Sequence, residues 1–241
     1  VIGSGTEIGT ISIGSAENGG ITLNGAITTD GVVTIDGPIT LATAAITITT
    51  ADDNINLQGT VDGGKALTLV SGSGAVNVDG AIGGSTALTS LTVNSSGAGT
   101  VEINNIGTSS AAGVTGATAI GNTNTGTLTL DGTVYTTNAA TYTAATGGGN
   151  IDITGAATFT TSADNIAFNT SGVDLGANVA ITTGTGTDAG TVSFGGAIEA
   201  GTAGQETLTI DSGAGNVTFT GAIGLTNALG GLNVNATSGD G

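Results

Sequence analysis

The side chains that could do chemistry in this sequence are almost all carboxylates. The densest acidic turn is Asp52-Asp53-Asn54, and a similar turn carries Asp164-Asn165. Carboxylate and amide oxygens are the ligands that Ca²⁺ prefers. These residues are therefore candidate ligands for weak calcium binding, which is predicted first at the turn around Asp52 and Asp53. The alternative is that the same side chains cap turns by hydrogen bonding to the backbone.

Other kinds of reactive site are excluded by composition. The chain has no His and no Cys, so neither a catalytic triad nor a zinc site of those ligands is possible. The lone Lys65, in Gly63-Gly64-Lys65-Ala66, lacks the frame of a phosphate-binding loop. A polysaccharide-cleaving β-helix could use paired carboxylates such as Asp52 and Asp53, but the basic and aromatic groups that bind sugars are almost missing. We therefore predict no enzyme and no catalytic residue.

Charge excludes two classes of partner. The chain carries 18 acidic residues against one basic residue, which gives a net charge of −17. Binding to nucleic acid or to an anionic membrane surface depends on basic side chains. No apolar run is long enough to cross a bilayer as a helix. The sequence predicts no nucleic-acid partner and no membrane insertion in this segment.

One short pattern recurs along the chain: apolar, any, apolar, any, Gly, any, apolar. Copies begin at Ile21, Val33, Ile55, Val76, Leu128, Val192 and Val217, and a weaker copy begins at Ile151. Between them lie simpler alternating triplets such as Ile46-Thr47-Ile48 and Leu67-Thr68-Leu69. Alternation of aliphatic and small polar residues indicates short β-strands.

The spacing of these strands predicts how the chain coils. Successive strand starts between Ile11 and Val101 are about 11 residues apart on average. Two strands per coil would then make a coil of roughly 22–23 residues. Stacked coils would line the aliphatic side chains into continuous rows. We predict an all-β fold, a parallel β-helix or β-solenoid with coils of roughly 20–25 residues. An antiparallel sandwich array is the alternative.

Glycine and residue order refine this prediction. The Gly of the motif is predicted to take a positive φ where the chain turns a corner.

Residues 1–241 are interpreted as one continuous solenoid segment of a longer repetitive protein, with a less regular stretch at 107–150. Since no shielding segment is visible at either end, each end should be covered by further repeats.

Larger self-similarity supports a repeat architecture. Leu67 to Val93 aligns with Leu208 to Val234 at a constant offset and without a gap. The acidic turn at 51–55 resembles residues 162–166. The chain is therefore one repeat array rather than two unrelated domains.

The few aromatic residues divide into two groups. Four phenylalanines stand at the alternating positions that Ile and Leu hold elsewhere, which predicts core stacks: Phe159, Phe168, Phe194 and Phe219. Tyr135 and Tyr142 fall in the irregular stretch. They are the only candidates for a stacking contact with a ligand such as a sugar.

Several segments resemble a known class of repeats in composition and order of residue types: Val76–Gly84, Leu88–Val93, Val114–Gly121 and Thr127–Gly132. They look like the repeats of giant bacterial β-strand-repeat surface proteins and are similar to the shafts of filamentous-haemagglutinin-like adhesins. The resemblance implies a secreted, extracellular protein at the bacterial cell surface. It implies a structural shaft or filament component whose partners are further copies of the same repeats, stacked end to end. An adhesin segment that binds glycan or another cell is the alternative.

Overall fold

The structure is a computed structural model that describes residues 2, 8–14, 19–43, 45–94 and 99–235. The described residues form short β-strands with no helix, and the strands pair in parallel with strands one coil before and after. The predicted β-solenoid is confirmed, and the antiparallel alternative is wrong. The apolar residues of the strands point inward because one face of each strand packs against the core, and the strands inside the stack pair with a coil on either side.

The strands lie on three faces, which the chain visits in a fixed order. Face I holds β1 (Ile11–Gly14), β4 (Val33–Asp36), β7 (Ile55–Leu57), β10 (Val76–Val78), β12 (Val101–Ile103), β14 (Thr127–Leu130), β17 (Asn150–Ile153), β20 (Gly172–Leu175) and β23 (Ala197–Ala200). Face II holds β2 (Ile21–Leu23), β5 (Ile39–Leu41), β8 (Val61–Asp62), β15 (Val134–Thr136), β18 (Thr158–Thr160), β21 (Val179–Gly184), β24 (Thr207–Ser212) and β26 (Gly231–Asn235). Face III holds β3 (Ile27–Thr29), β6 (Ala45–Thr50), β9 (Ala66–Val70), β11 (Ser90–Asn94), β13 (Thr118–Ile120), β16 (Ala140–Thr143), β19 (Ile166–Asn169), β22 (Val192–Phe194) and β25 (Val217–Phe219).

The coils have three faces, and most coils place a strand on each face, so the predicted two strands per coil are wrong. The sequence motif combines two strands in one pattern. Its last apolar residue, such as Ile39, is the first residue of the strand on the next face, so the third strand of the coil was not counted separately. In two coils face II is reduced to one bridging residue, Ile82 or Ile106. These bridges join the three-stranded and five-stranded parts of face II.

Coil length varies while the register is kept. On face I, Val76 pairs with Ile55 on one side and with Val101 on the other, and Val101 pairs in turn with Leu128. The three coils between these residues differ in length, although every strand stays in register. About nine coils average about 24 residues. The extra residues lie outside the face I strands, so they do not interrupt the ladder on that face.

Residues 107–150 remain part of the stack. They include β13, β14, β15 and β16, which pair in parallel with the coils on either side. Their irregularity is confined to the corners. One example is the small antiparallel bridge between Thr108 and Ala111.

The core is a set of axial columns of inward side chains. Most are Ile, Val and Leu with almost no exposure. One column in the later coils is aromatic and contains Tyr142, Phe168, Phe194 and Phe219. Their rings are nearly parallel, and successive ring centroids lie 5.3, 4.8 and 5.5 Å apart. The prediction that the phenylalanines form core stacks is confirmed. Offset-stacked rings at these distances add to the stability that burial provides.

The motif glycines serve a different purpose from the predicted one. Of the glycines at the corner between faces I and II, Gly37 has a positive φ, but Gly59 and Gly80 do not. Instead, a Cβ on Gly59 would lie 2.0 Å from the carbonyl oxygen of Gly37, and one on Gly80 would lie 2.1 Å from that of Gly59. Glycine is required because successive coils touch backbone to backbone at this corner.

The sequence repeats are rotated about the solenoid axis. Leu67 lies on face III, whereas Leu208, its counterpart in the second copy, lies on face II. In-register pairing along face III leads from Leu67 through six coils to Val217. Leu208 comes one face before Val217 in the chain. The two copies of the repeat are therefore separated by six coils minus one face. The local structure is nevertheless reproduced. Ser71 donates to the Gly74 carbonyl at 2.7 Å, and Ser212 donates to that of Gly215 at 2.8 Å.

Candidate functional site

The Asp52–Asn54 turn forms a corner between faces III and I. Asp52 has a φ of 82°, a left-handed conformation that Asp tolerates better than most residues. Its Oδ1 accepts a hydrogen bond from the backbone N–H of Ser73 at 2.8 Å, and Asn54 Oδ1 accepts one from Ala75 at 2.8 Å. The side chains of this turn therefore tie it to the same corner of the next coil.

The Asp164–Asn165 turn repeats this arrangement at another corner. It lies between faces II and III, and Asn165 Oδ1 accepts a hydrogen bond from the N–H of Thr191 at 2.8 Å. Ala163, with a φ of 60°, takes the place of Asp52. The two turns lie on different sides of the solenoid and several coils apart, so the structure does not bring their oxygens into one site. Across the described ranges, no group of three or more acidic side chains is arranged to hold a metal ion.

Calcium binding at Asp52 and Asp53 stays a prediction. We expect weak binding at most, because Asp52 Oδ1 already accepts a backbone hydrogen bond. Isothermal titration calorimetry with millimolar CaCl₂ should give heat that disappears in the Asp52→Asn/Asp53→Asn variant. Absence of heat with the parent protein would contradict the prediction.

Sequence reasoning missed a column of acidic side chains on face I. In-register pairing stacks Asp152 next to Asp174, and Asp174 next to Glu199, at the outward middle position of successive strands. Asn150 donates hydrogen bonds to the carboxylates of both Asp152 and Asp174, at 2.6 Å to Asp174 Oδ2. The side-chain amide thus links two like charges one coil apart.

This stacking affects the protonation of face I carboxylates. Partial burial raises the pKa of Asp152 above its ordinary value, the Asn150 hydrogen bond lowers it, and the Asp174 charge raises it again. On the same face, the pKa of Glu102 is raised by burial first and then by the charges of Asp131 and Asp79. Like charges in adjacent coils disfavour full ionisation.

The sequence did carry a signal for this column. The residue between the two apolar positions of the face I strands is acidic in Ile151-Asp152-Ile153, Val173-Asp174-Leu175 and Ile198-Glu199-Ala200. Without the register, these carboxylates are far apart in the chain. They become neighbours only because each coil returns to the same face in register with the previous one.

The two tyrosines are not a sugar-binding platform. Tyr135 and Tyr142 are both fully buried, so the prediction that they could stack on a ligand is wrong. The Tyr135 hydroxyl donates to the Ile103 carbonyl at 3.0 Å and accepts from the N–H of Gly132 at 2.8 Å. They were misassigned because the register of this irregular stretch was not visible in the sequence.

A small groove lies beside the Thr108–Ala111 bridge. Its volume is about 230 Å³, and hydroxyl side chains dominate its lining, including Ser109, Ser110, Thr160 and Ser162. Pockets that enclose small ligands are usually larger, roughly 300–1,000 Å³, and mostly apolar. The groove is smaller than this range.

Comparison with protein-family models, curated proteins and solved structures found no match to this chain. Within the described residues there is no helix of the length and apolar character needed to cross a membrane.

Proposed function

We propose that this segment is a structural shaft, or filament component, of a secreted bacterial cell-surface protein. The observation that carries the proposal is the parallel ladder, which continues through about nine coils around one apolar core. Such a ladder resists bending and can extend without limit in one dimension, because each coil contacts only its neighbours. The resemblance of the repeats to adhesin shafts supports the surface location.

The end of the described stack favours axial contact with more of the same structure. Leu232 and Val234 are in register with the buried Leu208 and Ile210, but they are 44% and 39% exposed. Among the described strands, none pairs with the outer edge of their strand, β26. A further coil, from the same polypeptide or from a second copy, would cover both the side chains and the edge.

An adhesin segment that contacts glycan is our second candidate. The hydroxyl-lined groove beside the Thr108–Ala111 bridge favours it, but the groove is small and the tyrosines are buried. Catalysis is not part of the proposal, because a chain without His and Cys has few ways to move protons or form covalent intermediates. The shaft is the function with the stronger support.

Axial association is the test of the shaft. We expect an isolated 1–241 segment to form linear oligomers, and their proportion should increase with salt because screening weakens repulsion between acidic copies. Analytical ultracentrifugation measures their mass, and small-angle X-ray scattering measures their length. In the variant Leu232→Asp/Val234→Asp, scattering should show no species longer than one segment.

The matched control places the same new charges elsewhere on face II. Thr158→Asp/Thr209→Asp adds two carboxylates at exposed outward positions that do not lie at the end of the stack. It should oligomerise like the parent. A parent that stays monomeric at high concentration over the whole salt range would overturn the axial proposal.

A further inference from the structure

The charges of this acidic chain are unevenly distributed over the three faces. The strands of face I carry Asp36, Glu102, Asp152, Asp174 and Glu199. The strands of face II carry Asp62 and Asp211. The nine strands of face III contain no charged residue, although 15 of the 18 acidic residues lie in the described ranges. One side of the solenoid therefore has neutral strands over its whole described length.

Face III is also built from short side chains in continuous register. Its outward central column consists of Thr47, Thr68, Thr92, Ala119, Thr141, Ala167, Ser193 and Thr218. Hydroxyl and methyl groups at a spacing of about 4.8 Å present a level surface without long flexible side chains. Such a surface loses little side-chain entropy when another surface covers it.

We propose that face III is a lateral interface that binds face III of a second copy of this chain. The partner is identified by charge. A second copy brings carboxylates with it on faces I and II, so contact through those faces either places like charges against each other or buries carboxylates against a surface with no opposite charge. Contact between two face III surfaces buries no carboxylate of the strands. This pairing is independent of the axial contact and would bundle shafts side by side.

The available area sets the strength of the contact. Nine strands at about 4.8 Å give a face of roughly 40 Å, and strands of three to six residues give a width of about 10–20 Å. Each copy would bury about 600 Å², which is below the roughly 800 Å² per partner of a standard stable interface. One segment should therefore pair weakly. A longer shaft with the same neutral face would pair more tightly, because the area grows with each coil.

The experiment uses charge insertion in a background that cannot associate end to end. The background is the Leu232→Asp/Val234→Asp variant. We expect sedimentation equilibrium of this variant at physiological salt to show a weak dimer. X-ray scattering should show an enlarged cross-section with unchanged length. Adding Thr68→Glu/Thr141→Glu places two carboxylates in the centre of face III and should weaken dimerisation at least tenfold.

The matched control adds the same charges to face II. Thr158 and Thr209 are exposed outward threonines on that face, and Thr158→Glu/Thr209→Glu should change the dimer constant less than twofold. Circular dichroism confirms that both variants fold. Equal weakening by the two pairs would overturn the proposal, and so would a parent background that stays monomeric at millimolar concentration. Binding of a neutral polysaccharide to face III without self-association would also overturn it.

Discussion

Replacing Ile82 by Asp should cost at least about 4 kcal/mol of stability, since it buries an unpaired charge in a dry core. Ile82 has no exposed surface and is the single face II residue of its coil. Its N–H donates to the Asn105 carbonyl at 2.9 Å, and its carbonyl accepts from Gly107 at 2.8 Å. Both bonds lead to the following coil, and the bridge to Val61 leads to the preceding one, so distortion at this residue should weaken the contact with the coils on both sides. Urea unfolding followed by circular dichroism measures the effect.

The control for this variant is the same kind of substitution at the surface. Leu225 is 79% exposed, so Leu225→Asp should leave the unfolding midpoint close to that of the parent. If Ile82→Asp and the parent unfold at comparable urea concentrations, the assignment of Ile82 to the core is contradicted.

The second large effect is expected from adding a single methyl group to Gly80. In Gly80→Ala the new Cβ would lie 2.1 Å from the carbonyl oxygen of Gly59 and 2.6 Å from the backbone nitrogen of Thr60. Neither atom belongs to a flexible side chain, so the two coils must separate at this corner. We expect a loss of about 3 kcal/mol, at the upper end of the usual cost of overpacking. Thermal unfolding by calorimetry would detect it.

Gly147→Ala is the matched control for Gly80→Ala. A Cβ on Gly147 meets nothing within 4 Å, and its φ is not positive. Alanine there should be neutral or should stabilise the protein by up to about 0.5 kcal/mol, because it restricts the unfolded chain. Equal stability of the two variants would show that the corners do not pack as closely as the structure indicates.

The coiled architecture could be predicted from the sequence because the inward positions are aliphatic in most strands. In strands such as β4 and β7, aliphatic residues alternate with small polar ones, and a glycine follows at the corner. This pattern favours short stacked strands whatever their order around the axis. The phenylalanine stacks followed from the same alternation.

The number of faces and the surface columns could not be predicted in this way. Face II in the coils of Ile82 and Ile106 consists of one bridging residue each, which leaves no alternation to detect. Asp152 stacks on Asp174 only because the coil between them has the length that brings both to the same position on face I. The next coil, from Asp174 to Glu199, is longer, so no constant spacing in the sequence reveals the column. Since coil length varies at the corners, only the register shows which outward residues become neighbours.

The rotated repeat has a consequence for how such a protein can evolve. Leu67–Val93 and Leu208–Val234 keep the same corner conformations, with Gly83 and Gly224 at φ values of 66° and 63°, although they begin on different faces. A duplicated stretch of DNA therefore need not encode a whole number of coils to be accommodated. A copy that ends one face early still fits, but it presents its outer residues to a different side of the molecule. Recombination within the gene can thus lengthen the protein and, in the same event, redistribute its surface residues around the circumference.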